Sequence, residues 1–161
     1  MTQDTIFNPD GTASITLPSG TQFQLQQVSS MAIYAIQTSQ INKPRPPFVE
    51  VKLRSGKKKR ERNPDDPTYQ TALASWEQSR QSKIMQYIIS NGVVDDVPNG
   101  YEEYADGLID TANESELKFF WVAELISAED LEVLSNAIVE MAQPSEEGIE
   151  DAEAEFQGDS K

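Results

Sequence analysis

Apolar and polar residues alternate near the amino terminus, on both sides of a Pro-Ser-Gly turn. Ile15 and Leu17 precede this turn, and Phe23 and Leu25 follow it. A period of two residues is typical of a strand with one buried face, and a glycine between two such segments favours a hairpin. The pattern therefore predicts a β-hairpin over about residues 13–28.

A second alternating segment, FVEVKLR (residues 48–54), follows a proline-rich stretch. Its pattern predicts a short strand with one solvated face, which is a candidate to join the first hairpin. The residues that follow, SGKKKRERNPDDP, contain no apolar side chain except proline and carry Gly56. We therefore expect an extended, charged loop over residues 43–66.

Helical spacing dominates the rest of the chain. Asp66 and Pro67 favour a helix start, and Leu73, Trp76 and Ile84 recur at helical spacing after it. We predict a long helix over about 67–90, which makes core contacts through these three residues and ends at a left-handed glycine in Asn91-Gly92. Shorter patterns before and after it predict a helix within residues 29–41 and three helices that end near residue 142.

These elements predict a mainly α protein. We expect one small helical domain over residues 1–143, with a short N-terminal β-hairpin or strand element. From Pro144 onward the chain has only Ile149 and Phe156 as large apolar residues, and it carries seven acids: Glu146, Glu147, Glu150, Asp151, Glu153, Glu155 and Asp159. Such a segment buries too little apolar surface to order itself, so we expect a disordered acidic tail over 144–161.

Charge is unevenly distributed along the chain. The net charge is −14, yet the segment from Lys43 to Arg62 has nine basic residues and two acids, a charge of +7, which leaves −21 elsewhere. Its densest part, Lys57, Lys58, Lys59 and Arg60, could contact phosphates. No aromatic residue is interleaved there and the remaining charge would repel a duplex, so a solvated hairpin tip or loop is favoured over nucleic-acid binding.

Candidate chemistry is sparse. The chain has no cysteine and no histidine, which removes thiolate nucleophiles, Cys/His zinc sites and imidazole catalysis. Its paired acids do not match the spacing of a calcium loop. We therefore expect no catalytic residue, no metal, no cofactor and no enzymatic activity. Without a secretory leader pattern or an apolar run of membrane length, we expect a soluble protein with no membrane partner.

Phe119, Phe120 and Trp121 are consecutive aromatic residues. Three successive residues cannot share one face of a helix, so at least one of them must lie at its side or in solvent. We therefore predict that Phe119 or Trp121 is an exposed anchor for a partner. We also predict that the basic residues Lys57, Lys58, Lys59 and Arg60 take part in partner binding.

The segment KPRPPFVEVKLRSGKKKRERNPDDPTYQTALASWEQSR (residues 43–80) resembles the tail assembly chaperones of long-tailed bacteriophages. The resemblance extends over about residues 15–93, and its most specific part is NPDDPTY before an Ala/Glu-rich helix with a tryptophan. It implies a non-enzymatic late protein of the host cytoplasm, absent from the mature virion. The implied partners are the tape measure protein and the major tail tube protein, whose polymerisation such chaperones promote.

Two other functional classes remain open. A structural subunit of the phage tail or connector would share this context but would be present in purified virions. A nucleic-acid-associated accessory protein would use the basic residues Lys57 to Arg62, and its binding would depend strongly on salt.

Overall fold

The computed structural model describes residues 4–143, which form five helices and two small sheets. In chain order the strands are β1 (Asp4–Phe7), β2 (Thr12–Thr16), β3 (Gln22–Gln26), β4 (Phe48–Lys52) and β5 (Lys58–Arg62). The helices are α1 (Ser30–Thr38), α2 (Pro67–Gly92), α3 (Tyr101–Ala105), α4 (Glu114–Leu125) and α5 (Ala128–Ala142). The predicted acidic tail, residues 144–161, lies outside the described residues.

The prediction of a mainly α fold is wrong, because the structure is 48% helix and 19% strand and is therefore mixed α/β. Two strands account for the error. In β1 the apolar residues Ile6 and Phe7 are exposed, so no buried alternation marks the strand. In β5 every residue is charged, so the sequence offers no apolar pattern at all.

The first sheet has the order β1-β2-β3, and all its neighbours are antiparallel. The predicted hairpin is present as β2 and β3, with Ile15 opposite Phe23 and Ala13 opposite Leu25. Directly opposite residues share a face of the sheet. All four of these side chains are buried, so this face is the β side of a hydrophobic core.

Helices complete this core. Trp121 of α4 meets the Phe23 ring edge to face, with the ring centroids 6.4 Å apart. Leu134 and Ile138 of α5 are fully buried. Gly92 is the last residue of α2 rather than the predicted left-handed end. A Cβ atom at Gly92 would lie 2.7 Å from Ile138 Cδ1, so the glycine is needed for close packing against α5.

The second sheet is a separate two-stranded hairpin. β4 pairs antiparallel with β5, with Phe48 opposite Arg62 and Lys52 opposite Lys58. The expectation that residues 48–54 join the first sheet is therefore wrong, and the expected loop over 43–66 contains strand β5. A turn at Arg54-Ser55-Gly56, with Gly56 at a φ of 81°, lets the chain reverse, which a glycine does at little steric cost.

The chain divides into two compact units, whereas the sequence predicts one small domain over 1–143. The first, called the core unit, comprises residues 4–33 and 85–143 of the described chain; the second, called the arm unit, is Tyr34–Ile84. Both boundaries fall inside helices, α1 and α2. Among the described residues the buried apolar side chains belong to the core unit, with the single exception of Ile84.

Candidate partner-binding surface

The β4–β5 hairpin of the arm unit has two chemically different faces, and every residue in both strands is exposed. Cross-strand pairing places Phe48, Glu50 and Lys52 on one face, opposite Arg62, Arg60 and Lys58 respectively. We call this the cationic face. The other face carries Val49, Val51, Leu53, Lys59 and Glu61 and is called the valine face.

On the cationic face two arginine side chains lie over one aromatic ring. The guanidinium carbons of Arg60 and Arg62 lie 5.3 and 4.6 Å from the centroid of the Phe48 ring, within the range of cation–π attraction. Lys58 Nζ donates to Glu50 Oε2 at 3.0 Å. Among residues 4–143, neither arginine has a carboxylate partner within ion-pair distance, so both keep an uncompensated charge.

On the valine face three aliphatic side chains form a solvent-exposed row. Val49 and Val51 are each 38% exposed and Leu53 is 43% exposed. Lys59 and Glu61 pair at 2.9 Å beside them, which reduces the local charge. Isolated apolar residues on a surface are ordinary, but a contiguous row is typical of a binding surface. An amphipathic helix or an apolar segment of another protein could cover this row.

A cleft of about 420 Å³ lies between α1 and α2 of the arm unit. Apolar side chains line it, chiefly Ile36, Ile41 and Trp76, and Arg80 and Lys83 supply positive charge at its wall. Its size and composition suit an apolar side chain of a partner with a carboxylate nearby.

Trp76 contacts one backbone carbonyl and two cationic side chains of the arm unit. Its Nε1 donates to the carbonyl of Ile41 at 2.9 Å. The Arg80 guanidinium lies 4.7 Å from the ring centroid and Lys43 Nζ lies 5.5 Å from it. Trp76 is half-buried rather than a core residue, so the prediction that Leu73, Trp76 and Ile84 all make core contacts is right only for Ile84, which is buried.

Arg80 links α2 to the end of α1. Its Nη1 donates to the carbonyl of Gln37 at 2.9 Å, and Nη2 lies 3.7 Å from Glu77 Oε1. The Nε atom is buried and has no hydrogen-bond partner within the described chain. An unpaired buried donor is energetically costly.

The core unit has a wider and more polar cleft of about 700 Å³, which Asp96, Glu102, Glu114 and Lys118 help to line. Burial lowers the pKa of Lys118, against the opposing influence of Asp96 and Asp95. Its Nζ donates to the carbonyl of Val93, just beyond the end of α2. This hydrogen bond gives a carbonyl near the end of α2 a partner, so Lys118 has a structural role.

The residues that the sequence predicts for partner binding belong to two different units. Lys58, Lys59 and Arg60 lie on β5 and Lys57 lies at the turn before it, all in the arm unit, whereas Phe119 and Trp121 lie on α4 of the core unit. Trp121 is only 8% exposed, so it is not an exposed anchor, because its ring completes the core against Phe23. Phe119 is half-buried.

Neither the valine face nor the cleft is predicted from the sequence as a binding feature. The alternation of Val49, Val51 and Leu53 predicts a strand with one buried face. The cleft depends on contacts between residues about 35 to 43 positions apart, such as Trp76 with Ile41 and Arg80 with Gln37. No local pattern in the sequence predicts such pairs.

Within residues 4–143, no group of three or more acidic side chains stands close enough to hold a metal ion. In the same range, no helix combines the length and apolar character required to cross a membrane. Comparisons with protein-family models, with curated proteins and with solved structures find no match to this chain.

Proposed function

We propose that this protein is a non-enzymatic tail assembly chaperone of a long-tailed bacteriophage, which binds the tape measure protein and promotes polymerisation of the tail tube. The observation that carries the proposal is the arm unit, Tyr34–Ile84, in which Ile84 alone among the apolar side chains is buried. The same segment carries the sequence resemblance to such chaperones at residues 43–80.

The exposed apolar side chains support this function for a physical reason. A single domain gains most of its stability by burying apolar residues. Fifty-one residues that bury one large aliphatic side chain gain little in this way, so their valine face and cleft are better suited to covering another chain. Tape measure proteins are long and largely helical, and a helix with one apolar stripe is a suitable ligand for such surfaces.

Charge supports a reversible interaction. The arm carries the positive segment of a chain whose net charge is −14. Complementary charges raise association rates without requiring high affinity, and the net negative charge would keep a chaperone–client complex soluble. Tube subunits could then replace the chaperone as they polymerise around the tape measure protein.

Co-expression with the tape measure protein of the same phage tests the proposal. We expect the tape measure protein to enter the soluble fraction only with this protein and to co-purify with it at low salt. If neither occurs, the proposal is wrong.

Mass spectrometry of purified virions distinguishes a chaperone from the alternative, a structural tail subunit. A chaperone would be absent from the particles, and a tail subunit would be present in stoichiometric amounts.

Paired variants locate the binding surface. Val49→Thr with Val51→Thr keeps the strand propensity but makes the valine face polar, and Lys52→Arg on the opposite face, which retains the positive charge, is its control. Ala35→Arg fills the cleft from α1, and Met31→Arg, also exposed on α1, is its control. We expect the valine and Ala35 variants to lower the co-purified tape measure protein about tenfold, equivalent to about 1.4 kcal/mol of binding, and both controls to leave it unchanged.

A further inference from the structure

Two tyrosines hold one carboxylate of the core unit. Tyr101 Oη donates to Glu124 Oε2 at 2.6 Å, and Tyr104 Oη donates to Glu124 Oε1 at 3.2 Å. Both tyrosines lie on α3 and Glu124 lies on α4, so all three residues belong to the core unit. The two hydrogen bonds orient the carboxylate. Each of its oxygens can still accept another bond, because a carboxylate offers roughly four lone-pair sites.

Both phenols remain donors at neutral pH. Burial raises the pKa of Tyr101, and the Glu124 carboxylate raises it further. The hydrogen bond to Glu124 also raises the pKa of Tyr104. The orientation of the carboxylate therefore persists over the pH range in which proteins usually bind their partners.

The Glu124 carboxylate has no cationic partner within residues 4–143, since none of the ion pairs in this range includes it. The described part of the core unit has 15 acidic residues and one basic residue, a net charge of −14. The basic residue is Lys118, which donates to the carbonyl of Val93. A cation from another molecule would therefore complement Glu124.

Aromatic rings adjoin this carboxylate. The ring centroids of Tyr101 and Tyr104 lie 5.5 Å apart, and that of Phe120 lies 6.4 Å from Tyr101. Tyr104 is exposed, so its ring is open to a ligand. A planar guanidinium can stack on a ring and also donate two hydrogen bonds to a carboxylate, which an ammonium group cannot do. The combination therefore favours arginine over lysine.

Exposed apolar side chains occur close to these residues in the chain. Leu125 directly follows Glu124, and Leu108 comes four residues after Tyr104. Both leucines are exposed. They offer apolar area to a ligand in which large apolar residues flank the arginine.

We propose that Glu124, Tyr101 and Tyr104 form a binding site for an arginine side chain of a partner protein, in a segment where large apolar residues flank the arginine. The carboxylate supplies the charge, the phenols orient it and the exposed ring of Tyr104 supplies the stacking surface. The inference stands independently of the proposed function, which rests on the arm unit.

Other occupants fit this site less well. A nucleic acid or an anionic membrane would be repelled by the net charge of −14 on the described core unit. A metal ion lacks ligands, since no group of three acids that could hold one occurs within residues 4–143. An arginine of a second copy of this chain is the remaining alternative, and the state of association in solution distinguishes it.

An NMR titration of the full chain tests the proposal. The probe is the blocked peptide acetyl-Leu-Arg-Leu-amide, and its counterpart with citrulline in place of arginine keeps the shape but lacks the charge. The arginine peptide should shift the aromatic signals of Tyr101 and Tyr104. Its Kd should be about fivefold lower than that of the citrulline peptide, because the guanidinium pairs with an oriented carboxylate.

Two charge-matched variants locate the site. Glu124→Gln should raise the Kd of the arginine peptide about fivefold and abolish its advantage over the citrulline peptide. The control Glu132→Gln removes the same charge from α5, where Glu132 is exposed and has no ion pair within residues 4–143. It should leave the Kd unchanged.

Three results would overturn the proposal. The first is the absence of any shift with the arginine peptide, or equal Kd values for the two peptides. The second is an equal loss of affinity in Glu124→Gln and Glu132→Gln, since it would indicate unspecific attraction to an acidic surface. The third is self-association, measured by analytical ultracentrifugation, that Glu124→Gln abolishes, because the arginine would then come from a second copy.

Discussion

The core unit and the arm unit use their strands differently, although both contain an antiparallel hairpin. In the core unit, β2 and β3 turn Ala13, Ile15, Phe23 and Leu25 toward the helices and bury them. In the arm unit, β4 turns Val49 and Val51 to a face on which both remain 38% exposed. The same alternation therefore builds a core in one unit and an exposed apolar row in the other, because among residues 4–143 helices cover the first hairpin but leave the second exposed.

The edges of the two sheets differ in the same way. In the core unit the edge of β3 is covered by the chain after α2, since Val94 N donates to Gln24 O at 2.8 Å and Gln24 N donates to Asp95 Oδ2 at 2.7 Å. In the arm unit the edge of β5 has no such partner among residues 4–143. Buried apolar side chains and the exposed apolar row beside an open strand edge thus belong to different parts of the described chain.

The two tryptophans offer the largest test of this comparison. Trp121→Ala should lower the free energy of unfolding by about 3–5 kcal/mol, because it removes a buried ring from the core unit. Trp76→Ala should cost about 1–2 kcal/mol, since its ring is half-buried and its loss removes chiefly one hydrogen bond to Ile41. Equilibrium unfolding in urea measures both, and equal losses would contradict the assignment of the core to one unit.

Gly92 tests how tightly the core unit is packed. Gly92→Ala should lower the free energy of unfolding by about 1–3 kcal/mol, because the new Cβ would overlap the buried side chain of Ile138. The double variant with Ile138→Ala should lose less than the two single variants together, since the smaller side chain removes the overlap. Strict additivity in urea unfolding would show that the two residues do not contact.

Two N-terminal helix caps, one in each unit, sharpen the comparison. Ser127 accepts from the amide of Asp130 in the core unit, and Asp66 accepts from the amide of Tyr69 in the arm unit. Replacing either residue with alanine should cost about 1 kcal/mol. We expect Ser127→Ala to lower global stability, whereas Asp66→Ala should mainly speed amide exchange in the first turn of α2. An equal drop in global stability would indicate that both units unfold together.

The smallest expected effect concerns Asp10, in the turn before β2. The hydroxyl of Thr12 donates to Asp10 Oδ1 at 2.6 Å and the amide of Thr12 donates to it at 3.0 Å, and these bonds hold the pKa of Asp10 below its ordinary value. Because the pKa of Asp10 is lower in the folded state than in the unfolded state, its carboxylate stabilises the fold at pH values above the unfolded-state pKa. This stabilisation is lost as the pH falls through the folded-state pKa.

Thr12→Val should therefore raise the pKa of Asp10 toward its ordinary value, whereas Thr12→Ser should keep it low because the hydroxyl is retained. An NMR titration of the Asp10 carboxyl measures both variants. An unchanged pKa in the valine variant would mean that the hydroxyl bond does not contribute to the shift.

Local pattern by itself determined several elements of this protein. The alternation across Gly20 indicates the β2–β3 hairpin, and Asp66-Pro67 marks the start of α2, where Asp66 caps the helix. Both depend on interactions within a few residues, such as turn geometry and the capping of free amides. The positive charge of residues 57–60 was likewise visible, although its arrangement as strand β5 was not.

Only the tertiary structure decided which apolar residues are buried. Trp76 and Trp121 both occur at helical positions that suit a core, yet Trp121 is buried against Phe23 while Trp76 remains half-exposed beside Ile41. FVEVK pairs with a fully charged strand instead of the first sheet. Burial and strand pairing depend on contacts between residues far apart in the chain, and a local pattern is compatible with several such partners.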